Sequence, residues 1–187
     1  MISFYDIAEK AEELTLNIVL IANGVALVGA LLMAGIGLLK KKEQILLVQC
    51  VQFAIQGAAN LMLGGVTGLV ANGVSIARNL FCLKFEYTSL WKVVFLAVQV
   101  VLSMGSNNLG LPGWLPVISA VIYTWFLDLK DEVQLKTVMI IAQVMWVVYD
   151  FMLMNYVSFA FDLLTIGSNL MGIRLILKER RAAAHKQ

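Results

Sequence analysis

Apolar residues fall in seven runs along the chain, at about residues 17–39, 44–63, 66–83, 91–104, 114–129, 137–154 and 157–177. Most of them approach the roughly 20 apolar residues that a helix needs to cross a bilayer; the fourth is short. Polar breaks divide them: Lys40-Lys41-Lys42, Gly64-Gly65, "GSNNLGLPG", "KDE", Asn155-Tyr156 and "KERR". Ahead of the first run, Phe4, Ile7, Ala8, Ala11 and Leu14 recur at helical spacing, which predicts a short helix over residues 1–16 lying at the membrane surface. That stretch is acidic where a signal peptide needs a basic start.

Composition agrees with this pattern. Of 187 residues, 60% are hydrophobic and 14% charged, and the mean hydropathy is +0.85. A soluble domain averages about 45–50% apolar and about 25% charged, so the surplus apolar surface requires a lipid solvent. The predicted fold class is therefore an all-α membrane protein of seven transmembrane helices, forming one polytopic domain over residues 1–187.

The net charge of +2 says little, but its placement says more. With seven spans, thirteen of the 14 Lys and Arg residues fall on one side, from Lys40 through Arg78, Lys92, Lys136 and Arg174 to Lys186, and only Lys10 on the other. Basic residues concentrate in cytoplasmic loops. The expected topology has the N-terminus outside and the C-terminus in the cytoplasm, with a basic tail at residues 178–187.

The runs also repeat. Residues 17–84 and 114–177 each read as three spans with a tight outer turn and a third span ending in Arg, and residues 91–104 form a linker helix between them. "QFAIQGAANLMLGG" parallels "QVMWVVYDFMLMN", aligning Gln52 with Gln143, and "VANGVSIARNLFCLK" parallels "TIGSNLMGIRLILKE", aligning Arg78 with Arg174. The prediction is two parallel triple-helix repeats in a 3+1+3 plan, one of the ways transporters are built.

Four of the spans carry polar or small stripes at helical spacing: Gln49, Gln52, Gln56 and Asn60; Gly68, Asn72, Ser75 and Asn79; Gln143, Trp146 and Asp150; Asp162, Thr165, Asn169 and Gly172. An unsatisfied polar group in hydrocarbon costs several kcal/mol, so the stripes face one another or a water-filled cavity. Glue between helices is the plain reading. A solute pocket lined by Gln52, Gln56, Asn72, Gln143, Trp146, Asp150 and Asn169 is the functional one. Asp150 and Asp162 are candidates for binding a coupling proton or cation, because intramembrane carboxylates usually mark pathways. Trp91, Trp114, Tyr87 and Tyr156 suit interface anchors. Arg78 and Arg174 read as helix-end residues that snorkel to the surface.

Other chemistries lack residues. His185 is the single histidine, and Cys50 and Cys82 have no CxxC or Cys/His neighbours. No enzyme activity, metal site, cofactor or nucleic-acid partner is expected.

The segments "LPVISAVIYTW" and "VMWVVYDF", followed by Asn169 and Arg174 as N-x4-R, closely resemble the YgjV-type bacterial inner-membrane proteins. The similarity runs through nearly the whole chain, most specifically from Leu115 to Arg174. That family is similar in plan to SWEET sugar transporters, PQ-loop proteins and vitamin transporters of the nicotinamide riboside type. The resemblance implies two triple-helix bundles joined by an inversion helix around a pocket, with Asn72 and either Ser168 or Asn169 as the paired pocket residues. The chain departs from the wider group in having no Pro-Gln dipeptide; its prolines are Pro112 and Pro116.

The expected function is a small-solute transporter or facilitator in the bacterial inner membrane, whose partners are the lipid bilayer and an unknown small solute, with a homo-oligomer left open. The alternative is a non-transporting membrane receptor or assembly partner of the same fold that uses its basic tail for recognition.

Overall fold

The structure is a computed structural model that describes residues 4–36, 42–126, 129 and 131–184. Lys40, Lys41, Lys130 and the last three residues of the basic tail, His185, Lys186 and Gln187, lie outside them. Among the described residues every regular element is helical: α1 (Phe4–Ile36), α2 (Lys42–Met62), α3 (Val66–Lys84), α4 (Ser89–Ser106), a 3-10 turn at Pro112–Trp114, α5 (Leu115–Phe126), α6 (Glu132–Met152) and α7 (Tyr156–Ala184).

Seven helices thus stand where seven spans were expected, but five are long and apolar enough to cross a membrane: Glu12–Leu32 within α1, α3, α4, Val133–Met152 and Tyr156–Ala183. In α2 the apolar part shortens to Leu46–Met62, because Lys42, Glu43 and Gln44 occupy its first turn. The 12 residues of α5 span about 18 Å. The surface helix expected over residues 1–16 is not a separate element. Backbone bonding continues through Asn17, and α1 runs unbroken for 33 residues.

The helices close into a ring. α2 packs between α1 and α3, and α6 packs between α5 and α7; α3 meets α5, and α1 meets α7. α4 stands outside the ring against α3 and α5. Small side chains set the closeness of approach. Ala22, Ala26 and Ala30 form the buried face of α1, and Gly29 sits where a Cβ would come 3.3 Å from Ile55 of α2. The polarity is inverted relative to a soluble fold. Leu20, Leu31, Val101 and Leu164 are exposed, whereas Asn60, Asn72, Gln99, Asp150 and Asn155 are buried.

Two turns share one end of the ring, Gly64-Gly65 after α2 and Met154-Asn155 after α6; we call this the turn end and the opposite one the basic end. Both turns close with the same four backbone bonds. In the first, Leu63 donates to Ala59, Gly64 to Leu61, Gly65 to Asn60 and Leu69 to Gly65. In the second, Leu153 donates to Tyr149, Met154 to Phe151, Asn155 to Asp150 and Phe159 to Asn155, each residue 90 positions after its counterpart. The bond that spans five residues, with a left-handed residue inside it, is the Schellman closure of a helix C-terminus. Gly64 (φ 79°) and Met154 (φ 58°) are those left-handed residues. An asparagine side chain serves each turn's carbonyl: Asn108 donates to Gly64 O at 2.8 Å, and Asn23 of α1 donates to Met154 O at 2.9 Å. Asn23 also accepts from the Val157 N–H at 2.9 Å, which starts α7.

Candidate functional site

The ring surrounds a half-open cavity of about 250 Å³, reached by side chains of α1, α2, α3, α5, α6 and α7. Six residues chosen from the sequence line it: Gln52 and Gln56 on α2, Asn72 on α3, and Gln143, Trp146 and Asp150 on α6. Asp162 on α7 lines it as well.

The seventh choice, Asn169, does not. It is buried, but its amide donates to Thr165 O one turn earlier at 3.0 Å. Only Ser158, Phe161 and Asp162 of α7, all in its first two turns, are among the lining residues. The 90-residue spacing of the turns gives the reason. Counted from equivalent turns, Asn72 stands level with Asp162, and Asn169 stands level with Asn79. The longer spacing read from Arg78 and Arg174 slid the second stripe too far toward the basic end.

Hydrogen bonds join the two sides of the cavity. Gln56 Nε2 donates to Ser158 Oγ, linking α2 to α7, and Gln143 Nε2 donates to Asp162 Oδ1, linking α6 to α7. Asn79 Nδ2 donates to Gln49 Oε1 at 3.0 Å. Toward the turn end, Asn155 Nδ2 lies 3.3 Å from Asn60 Oδ1 and 3.4 Å from Asp150 Oδ1. Asp150 on α6 and Asp162 on α7 line the same cavity.

Two residues that shape the site were not chosen from the sequence. Arg78 was expected to snorkel to the surface, and instead it is 7% exposed and turned inward. Its Nη1 donates to Thr124 Oγ1 of α5 at 2.9 Å, and its guanidinium stands 5.7 Å from the Tyr123 ring centroid. Arg174, the residue paired with it by sequence, is exposed. The signal was present in the helical spacing, since Arg78 follows Ser75 by three positions on the polar stripe. Tyr149 is the other. It is fully buried, and its hydroxyl accepts from the Gly68 N–H at 3.0 Å. Gly68 lies in the first turn of α3, where backbone N–H groups have no partner within the helix. A Cβ at Gly68 would come 2.8 Å from that hydroxyl. Apolar periodicity alone could not distinguish Tyr149 from a packing aromatic.

An interior lined with amides and carboxyls, inside an apolar exterior, belongs to a membrane protein. The sequence pattern of a family described as a bacterial inner membrane protein, Imp-YgjV, matches residues 20–180. The chain belongs to the Imp-YgjV family. Its helices and this membership make it a multi-pass protein of the bacterial inner membrane. No curated protein and no solved structure matches this YgjV-family chain.

Proposed function

We propose that this YgjV-family chain is a small-solute transporter or facilitator. Its seven helices form two triple-helix repeats joined by α4, with the turn end and N-terminus outside and the basic end in the cytoplasm. One observation carries the reading. Most of the polar stripe residues of α2, α3 and α6, with Asp162 of α7, line a shared cavity within a ring of helices, where glue between helices would leave them packed dry. The matching turn closures support the repeats, and the one-sided placement of Lys and Arg supports the orientation. Gln52, Gln56, Asn72, Gln143, Trp146 and Asp150 would contact the solute, and Asp150 and Asp162 would hold a coupling proton or cation. The receptor reading rests on the basic tail rather than the cavity.

The test is reconstitution into liposomes with a broad panel of sugars, vitamins, amino acids and organic ions. Flux of one solute class, or a rise in melting temperature with it, is the expected result. It should survive deletion of residues 182–187. Absence of both flux and stabilisation across the panel removes the transporter reading.

A further inference from the structure

The cavity contains buried ionisable groups of both kinds, and neither kind has an oppositely charged partner among the described residues. Arg78 donates to the Thr124 hydroxyl, and its Nη2 lies 3.5 Å from the Asn79 side-chain Oδ1. A guanidinium has five N–H donors, and no carboxylate pairs with this one among the described residues. Asp150 is 1% exposed. Beside it, Asp162 Oδ1 accepts from Gln143, while Asp162 Oδ2 is buried with no donor. A carboxylate only accepts, so this oxygen needs a donor that the described residues do not supply. Burial makes such unpaired charges costly, and intramembrane ionisable groups are retained for function.

The two unmatched groups lie at different depths of one space. Arg78 is six residues along α3 from Asn72, about 9 Å toward the basic end, and Asn72 stands level with Asp162. We propose that the cavity binds a small zwitterion, with its ammonium group on Asp150 and Asp162 and its carboxylate on Arg78. The inference rests on the pocket of the transporter reading and names its substrate class. A lone cation would meet the carboxyls and leave Arg78 unpaired. A lone anion would do the reverse, and a neutral polyol would match neither. A zwitterion satisfies both and adds no net charge to a site surrounded by lipid. The volume of about 250 Å³ falls below the roughly 300–1,000 Å³ of pockets for drug-sized ligands, which limits the solute to a short carbon skeleton. Phe53, Trp146 and Phe161 supply apolar walls for that skeleton.

The experiment is ligand titration of the purified full chain in detergent, read as melting temperature and Kd. The probes are the standard amino acids and ω-amino acids of two to six carbons, each with its amide and its N-acetyl derivative, together with polyols of similar size. At least one zwitterion is expected to stabilise the protein and to lose about tenfold or more in affinity as amide or N-acetyl derivative. Arg78→Gln should erase the preference for acid over amide, and Asp162→Asn the preference for amine over N-acetyl. Arg78→Lys keeps the charge and should retain the acid preference, which provides a second reading if Arg78→Gln fails to fold. Equal or better binding of a polyol or a singly charged solute overturns the zwitterion inference and leaves the transporter reading standing. Binding of none of these probes also overturns the zwitterion inference, while the transporter reading falls only if the liposome panel shows neither flux nor stabilisation.

Discussion

Tyr149 joins the two sides of the ring through one hydroxyl. That hydroxyl receives the Gly68 N–H at 3.0 Å and lies 3.5 Å from Thr67 Oγ1, while Trp146 packs edge-on against its ring at 5.7 Å. Removing the oxygen leaves a buried N–H without a partner, which costs about 1–3 kcal/mol. Tyr149→Phe keeps the ring and should lose roughly that much in denaturant unfolding in detergent micelles. A change indistinguishable from zero would mean that the Gly68 N–H finds another acceptor. The residue scale is also where the sequence was least legible. Stripe spacing identified Gln52, Gln56, Asn72 and Asp150 because each is polar in an apolar run. Arg78 sits near a helix end, where charge is ordinary, so its position did not disclose the inward rotamer. Tyr149 and Asn23 act on backbone groups of distant turns, and no local pattern encodes such a partner.

Among the elements, α6 and α7 are tied at the basic end by one side chain. Asp131 caps α6, its Oδ1 accepting from the N–H groups of Val133 and Gln134 at 3.0 Å each, and its Oδ2 lies 2.9 Å from Arg180 Nη2 near the end of α7. The Gln134 N–H holds its carboxyl below the usual carboxylate range, and the Arg180 side chain and Val133 N–H add to this. A carboxyl whose pKa is depressed by folding contributes stability above its unfolded value and loses it as pH falls through the folded one. Asp131→Asn preserves the cap, since Asn is a good N-cap residue, but removes the charge. At pH 7 the variant should melt below wild type, and the gap should close as pH falls from about 4 downward. The pair is half-exposed, so the gap is small and should shrink in high salt. A gap that ignores both pH and salt would show that the carboxylate charge contributes nothing. The helices themselves were legible from apolar periodicity, and the caps explain where their ends moved. α5 begins at Leu115, one residue inside its apolar run, because Pro112–Trp114 are held in a 3-10 turn before it. The surface helix merged into α1 because nothing between Leu14 and Asn17 breaks a helix.

At the scale of the whole molecule, the short α5 decides the topology. Its length of about 18 Å falls short of the roughly 30 Å hydrocarbon core, yet the proposed orientation needs it to separate the turn end from the basic end. A short helix can serve where protein, rather than lipid, surrounds its ends. α3, α4 and α6 pack around α5, and Pro116, Val117, Ser119 and Thr124 on it are buried. The charge asymmetry is what favours this orientation, because loops at the turn end carry no Lys or Arg. Leu111, 86% exposed before the 3-10 turn, and Glu179, exposed near the end of α7, are three helices apart. Single cysteines there, on a background with Cys50 and Cys82 replaced by serine, give a direct readout. A membrane-impermeant maleimide should label Leu111→Cys in intact cells, and Glu179→Cys only after permeabilisation. The reverse pattern would invert the molecule while keeping its span count. Labelling of both from outside would mean that an even number of spans separates them, and α5, the shortest helix of the ring, would be the one that fails to cross.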